Sequence, residues 1–209
     1  RHDLSDTGFL LQQNEENIRS FRHDMKNHLF TIAENIRTGE YEQAESYIKS
    51  MVNDKLYNEK IYSNTGNVAI DSVLNYKLNE AAGKGILINS DIKVPFDIVV
   101  DSADITSIVG NLLDNAINAV SKIAEQDRKI TVNLSYDKGR LFITVQNKYD
   151  GITKMTKGRP VTDKDTSEHG YGLKNVERTL EKYNGHIEYQ HNDGIFKTTA
   201  MLYTVQKSV

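Results

Sequence analysis

Asn111-Leu112-Leu113-Asp114-Asn115-Ala116 lies inside a stretch, residues 103–124, whose apolar side chains recur at helical spacing. Leu112 and Leu113 turn toward a core. Asn111 and Asn115, four residues apart, share the opposite face one turn from each other. Amide oxygens are hard ligands, so Asn115, assisted by Asn111, can hold Mg²⁺ while most remaining ligands come from water and phosphate oxygens. Two solvated asparagines on an amphipathic helix have the same pattern, so the reading depends on what surrounds them.

Outward from this helix the chain mixes helices and strands. Residues 68–82 read as a helix, and Ile86, Ile88 and Ile92 as a strand. Residues 130–136 and 141–147 alternate apolar with polar around Lys138-Gly139, the pattern of a β-hairpin within one sheet. Residues 152–169 have no periodicity and contain Gly158, Pro160 and several charges, which predicts a long loop of the kind that serves as a lid. A helix from Leu173 to Tyr183, a stop at Asn184-Gly185, and strands at 187–191 and 196–205 complete an α+β domain with helices over one sheet face.

Two further segments of this domain carry chemistry. His169-Gly170-Tyr171-Gly172-Leu173 places two glycines where the loop enters the helix, so phosphates can approach backbone N–H groups at the positive end of a helix dipole. A dinucleotide fingerprint needs a third glycine where Asn175 stands and a strand where a polar loop stands, which disfavours Rossmann and P-loop architectures. Asn147 ends a strand and begins Asn147-Lys148-Tyr149-Asp150-Gly151-Ile152. Its amide can accept from an amino group and donate to a ring nitrogen, the pair needed to read an adenine edge.

The N-terminal part is different. Leu4, Leu11, Ile18, Met25 and Ile32 form a heptad, with Phe21 and His28 at companion positions. After a break at Thr38-Gly39-Glu40, Tyr41, Ala44, Ile48, Met51, Val52 and Leu56 recur as a second helix. Two helices offer a limited core, so this antiparallel hairpin is expected to pair with another copy as a dimeric four-helix bundle. Turn formers at Ser63-Asn64-Thr65-Gly66-Asn67 mark the join, giving a hairpin domain over 1–62 and a second domain over 63–209.

Within Phe21-Arg22-His23-Asp24-Met25-Lys26-Asn27-His28 the heptad puts His23 on the outer face and His28 on the seam. An accessible neutral imidazole can attack phosphorus, and Asp24 can accept its other ring N–H so that the attacking nitrogen keeps its lone pair. Asn27, one turn on, can position a water or a transferred phosphoryl group. A solvated polar face is the plain alternative for all three. Metal binding by His23, Asp24 and His28 is disfavoured, because histidines five residues apart point in different directions.

The order of these motifs resembles sensor histidine kinases, in which a phosphoacceptor hairpin precedes an ATP-binding sandwich of the GHKL superfamily. The resemblance covers nearly the entire chain. It implies that His23 is the phosphoacceptor, Asp24 its polar assistant and Asn27 a participant in the reverse dephosphorylation. Asn111 and Asn115 match the family's N-box, with Asn115 the principal Mg²⁺-ATP ligand, and Gly170, Gly172 and Leu173 match its phosphate-side segment. It also implies ATP and Mg²⁺ as cofactors, a homodimer, and transfer from His23 to an aspartate on a response regulator. The 23–28 segment is similar to the peptide-sensing branch of Gram-positive quorum sensing, with its accessory-gene-regulator-type kinases.

One departure stands out. The family's adenine motif has an aspartate and two glycines where this chain has Asn147, Tyr149 and Gly151. A neutral amide keeps hydrogen-bonding capacity but loses a charged acceptor. This leaves two alternatives beside the kinase: a nucleotide-binding GHKL regulator related to anti-sigma factors, and an inactive kinase acting by protein interaction.

Composition bounds the rest. The net charge of −3 with interspersed signs gives no general attraction to nucleic acid, and no partner of that class is expected. There is no cysteine, which excludes disulfides and thiolate metal sites and suits a reducing cytosol. No apolar stretch approaches the roughly 20 residues that span a bilayer. A chain that starts at Arg1 is expected to be the cytoplasmic portion of a membrane-anchored bacterial protein whose sensor segment lies elsewhere.

Overall fold

The computed structural model describes residues 3–51, 60–150, 154–156, 159–161 and 171–206, with side chains over 18–51, 60–150 and 172–204. The chain divides into two compact units, Arg1–Asn58 and Glu59–Val209. Helix α1 (Asp3–Arg37) and helix α2 (Tyr41–Met51) make up the first. Gly39, at φ 80°, takes the left-handed conformation that turns the chain between them. Met25, His28, Ile32 and Asn35, spaced by three and four, are the half-buried side chains of α1; on α2 Ala44 is buried and Tyr47 half-buried. His28 shares a 2.9 Å hydrogen bond with the Tyr47 hydroxyl. His28 is thus the packed histidine expected from the heptad.

Two heptad positions, Ile18 and Phe21, and several other apolar residues behave differently. Ile18, Phe21, Leu29 and Ile36 on α1, and Tyr41, Ile48 and Met51 on α2, are exposed in the single chain. The hairpin covers only one edge of its apolar stripe. Val52 and Leu56, expected to extend the second helix, lie outside the described residues.

In the second unit α3 (Val68–Gly83) is followed by β1 (Leu87–Lys93), β2 (Ile98–Val99), α4 (Ser102–Val120), β3 (Lys129–Asp137) and β4 (Arg140–Lys148). Then come β5 (Lys154–Thr156), β6 (Arg159–Val161), α5 (Tyr171–Glu181), β7 (His186–Asn192), β8 (Ile195–Tyr203) and β9 (Val205–Gln206). The main sheet has the order β1-β3-β4-β8-β7, with β1 parallel to β3 and the other pairs antiparallel. Lys138 at φ 47° and Gly139 at φ 79° supply the doubly left-handed two-residue turn that a tight hairpin requires.

Helices α3, α4 and α5 cover one face of that sheet. Ile70, Leu74 and Leu78 of α3, Ile105, Ile108, Leu112 and Leu113 of α4, and Val176 and Leu180 of α5 meet Ile130, Val132, Leu134, Leu141, Ile143, Val145, Ala200 and Leu202 in one core. This is the helix-over-sheet sandwich expected from the sequence. Several local details differ. Helix α4 ends at Val120 rather than at 124, and α5 ends at Glu181 rather than Tyr183. The 152–169 loop contains the short β5–β6 pair. Helix α5 starts at Tyr171 rather than Leu173. The strand read over 196–205 breaks at Thr204, after which β9 pairs with β2.

Candidate nucleotide site and phosphoacceptor helix

Helix α4 is fixed at its start. The Asp101 side chain accepts from the N–H groups of Ala103 and Asp104, capping donors that the helix itself cannot satisfy. Lys182 donates to Asp104 at 2.7 Å and the Tyr183 hydroxyl does so at 2.8 Å, while that hydroxyl accepts from the Asp101 N–H at 3.1 Å. Lys182 holds the Asp104 carboxyl below the usual carboxylate range. Burial, together with the neighbouring Asp104 carboxylate, pushes the Tyr183 phenol up. The beginning of α4 is thereby tied to the end of α5.

Further along α4, Leu112 and Leu113 are buried, Asn111 is half-buried and Asn115 is exposed, as the amphipathic reading expected. The Asn111 amide nitrogen donates to the Ser107 carbonyl at 2.7 Å, which turns its oxygen the other way. That oxygen faces Gly172 in the first turn of α5, where a Cβ would come within 2.8 Å of it. Asp114, between the two asparagines, is engaged elsewhere: Lys77 of α3 reaches it at 2.6 Å and Glu80 at 3.2 Å. Burial opposes the Lys77 charge, but the Asp114 and Glu80 hydrogen bonds outweigh it and hold the ammonium above the ordinary lysine range. A groove of about 420 Å³ opens beside Asn111 between α3 and α4, lined by Tyr76, Lys77, Ser107 and Asp114 among others.

These features fit a nucleoside triphosphate with Mg²⁺. The neutral amide oxygen of Asn111 stands beside a helix start without a side chain at 172, and a helix start presents N–H groups to anions. Neutral amide donors suit a cation that arrives largely coordinated by phosphate and water.

Asn147 lies at the end of β4. The inward-facing row of that strand is Leu141, Ile143, Val145 and Asn147, so alternation carries an amide into a core position, where it is 5% exposed. Its nitrogen donates to the Lys148 carbonyl at 2.8 Å, leaving the oxygen as the acceptor on offer. On the adjacent strand Thr198, with Ala200 and Leu202, occupies the same inward row and is also buried. Thr198 was not singled out in the sequence; the signal was a hydroxyl standing in register with two core residues. Leu173 is half-buried against the core. Gly151 and Gly170 lie outside the described residues.

On α1 the His23 side chain is 72% exposed. Its Nδ1 lies 3.4 Å from Asp24 Oδ1 and 3.4 Å from Asn27 Nδ2. The two neighbours ask opposite things of one nitrogen. A carboxylate favours Nδ1–H, which leaves the lone pair on Nε2; an amide N–H favours an unprotonated Nδ1. Asp24 therefore promotes the tautomer whose outward nitrogen is nucleophilic.

Both units resemble parts of known proteins. Residues 100–203 match the family model of the GHKL domain, and residues 10–64 match that of the alpha-helical domain of SpoOB-type sensor kinases. The sensor protein CitS of Bacillus subtilis is 28% identical over 214 aligned residues, covering 97% of this chain and 38% of CitS. A probable C4-dicarboxylate sensor kinase of the same organism is 27% identical, covering 86% of this chain and 35% of that protein. The sensor histidine kinase CitA of Klebsiella pneumoniae is 26% identical, with 87% and 35% covered. The chain thus spans little more than a third of the length of these relatives. Among solved structures, the catalytic domain of histidine kinase ThkA superposes with a TM-score of 0.53 at 18% identity, covering 67% of this chain and 93% of that one. Full-length ShkA in complex with AMPPNP superposes with a TM-score of 0.52 at 18% identity, covering 84% and 40%. Matched by a sensor-kinase helical domain in its first unit and by a GHKL domain in its second, the chain belongs to the GHKL histidine kinase family.

Proposed function

We propose that this chain is the kinase portion of a two-component sensor histidine kinase, in which the second unit binds ATP and His23 receives its γ-phosphoryl group. The observation that carries the reading is the exposed His23 imidazole with Asp24 against Nδ1, in a chain that also holds a GHKL domain. The Nε2 lone pair forms a bond to phosphorus as the bond from γ-phosphorus to the bridging oxygen breaks and ADP leaves. Positioning and charge stabilisation supply most of such catalysis. Asn115, with Asn111, would hold Mg²⁺, which when bound neutralises charge on the phosphates. Gly172 and Leu173, with Gly170, would line the phosphate side, and Asn147, with Gly151, the base. Asn27, within reach of the same imidazole, is suited to orient water for dephosphorylation.

The proposal extends to the assembly. The uncovered stripe of Ile18, Leu29, Ile36 and Ile48 supports a homodimer through the hairpins. Phosphoryl transfer to a response-regulator aspartate completes the cycle, and the chain is the cytoplasmic part of a membrane-anchored protein. No helix among the described residues is long and apolar enough to cross a membrane. One of the relatives named above is a probable C4-dicarboxylate sensor kinase and none is named for a peptide, so the peptide-sensing assignment rests on the 23–28 motif alone and receives no support from them. The regulator reading has no use for His23 and ranks second. Incubation with Mg²⁺ and γ-labelled ATP tests the kinase: label that is stable to base and labile to acid supports it, and nucleotide binding without label favours the regulator.

A further inference from the structure

Three side chains of α3, each one turn after the last, grip the backbone that leads into the helix. Asn79 accepts from the Lys60 N–H at 3.1 Å and donates to the Lys60 carbonyl at 2.9 Å. Asn75 accepts from the N–H groups of Tyr62 and Ser63 at 2.8 and 3.0 Å and donates to the Ser63 carbonyl at 2.9 Å. Asp71 accepts from the Ser63 hydroxyl at 2.7 Å, the Thr65 N–H at 2.9 Å, the Thr65 hydroxyl at 3.0 Å and the Gly66 N–H at 3.0 Å. Positions 71, 75 and 79 form one stripe on the helix. The incoming chain runs back along that stripe, with Lys60 at its far end and Gly66 at its near end.

A primary amide offers one acceptor and one donor side, as a peptide unit does. Asn75 and Asn79 therefore serve this segment as a neighbouring strand would, satisfying both N–H and C=O of Ser63 and of Lys60. Apolar burial contributes unevenly: Tyr62 packs against the core, but Ile61 is 73% exposed. Ser63 is buried, so its backbone groups need these partners. At Asp71 burial raises the carboxyl's affinity for a proton, and the Ser63, Thr65 and Gly66 donors together outweigh it and hold the group in its charged, accepting form.

The same helix is tied to the nucleotide side. Lys77 bridges from α3 to Asp114, the residue between Asn111 and Asn115. Residues 60–66 stand at the beginning of the unit that carries those asparagines, which starts at Glu59, directly after the unit that carries His23.

We propose that Asp71, Asn75 and Asn79 are positioning residues for phosphoryl transfer, which bind residues 60–66 to the ATP-binding unit and so set the length of the connection between His23 and the nucleotide. This rests on the kinase reading above. Releasing the clasp lengthens the connection, and effective concentration falls as roughly the −3/2 power of tether length, so a doubling costs about threefold.

The test uses the full chain. Asn75→Ala/Asn79→Ala is expected to label more slowly at saturating ATP, by at most about threefold because Asp71 still holds Ser63, Thr65 and Gly66, with an unchanged Kd for ATP. The absence of native cysteine permits a reversible version, Lys60→Cys/Asn75→Ala/Asn79→Cys, expected to label at the parent rate when oxidised and more slowly when reduced. Equal rates in released and clasped forms overturn the proposal. So does a matching loss of ATP affinity, which would make the clasp merely structural. Absence of label from every form, the parent included, while ATP still binds, defeats the kinase reading itself and the positioning role with it.

Discussion

Gly172 lets the start of α5 come so near Asn111 that a Cβ at 172 would stand 2.8 Å from the Asn111 side-chain oxygen. The obstructing atom is the end of a side chain, which can swing aside at little cost to folding. Alanine is also a better helix residue than glycine by about 1 kcal/mol. Gly172→Ala is therefore expected to leave the melting temperature unchanged or slightly raised while weakening ATP binding about tenfold. Calorimetric titration beside thermal denaturation reads both; a large drop in melting temperature would show that the residue is needed for packing instead.

Asn147 yields a prediction opposite in sense to the family pattern. Aspartate is the residue the motif ordinarily has there, yet here the amide nitrogen donates to the Lys148 carbonyl at a site that is almost fully buried. Asn147→Asp replaces that donor by a carboxylate oxygen facing a carbonyl, and breaking a buried pair in this way costs about 1–3 kcal/mol. Chemical denaturation without nucleotide should report the loss, and an undiminished midpoint would contradict it.

The hairpin's uncovered stripe predicts its oligomeric state. Leu29 is 61% exposed although it lies among apolar residues at heptad-like spacing. The parent chain is expected to be a dimer by light scattering, and Leu29→Glu a monomer with its second unit still folded, because the core of that unit is self-contained. A monomeric parent would sink this part of the account.

Much of this was legible in the sequence because the signals are local and periodic. Leu112 and Leu113 against Asn111 and Asn115 defined both the core side and the polar side of α4, and the alternation through Leu141, Ile143 and Val145 carried Asn147 inward. His23 and His28 separated on the same logic. What escaped depends on partners distant in sequence. Strand β2 has two residues and exists because β9 pairs with it, so no local pattern announces it. The break at Thr204 is set by the Thr204 N–H bonding to the Gly139 carbonyl across the β3–β4 turn. Asp71, Asn75 and Asn79 look like an ordinary polar face until the segment they hold is in place.

His23, and not its neighbour His28, is expected to take the phosphoryl group. His28 is bonded to Tyr47 and half-buried, whereas His23 is open and has Asp24 at its inner nitrogen. The most direct measurement is label from γ-labelled ATP and Mg²⁺ on the parent chain, His23→Gln, His28→Gln and Asn115→Ala, with each variant first shown to be folded. Base-stable label on the parent and on His28→Gln, with none on His23→Gln or Asn115→Ala, is the predicted result. Label that persists on His23→Gln would contradict it.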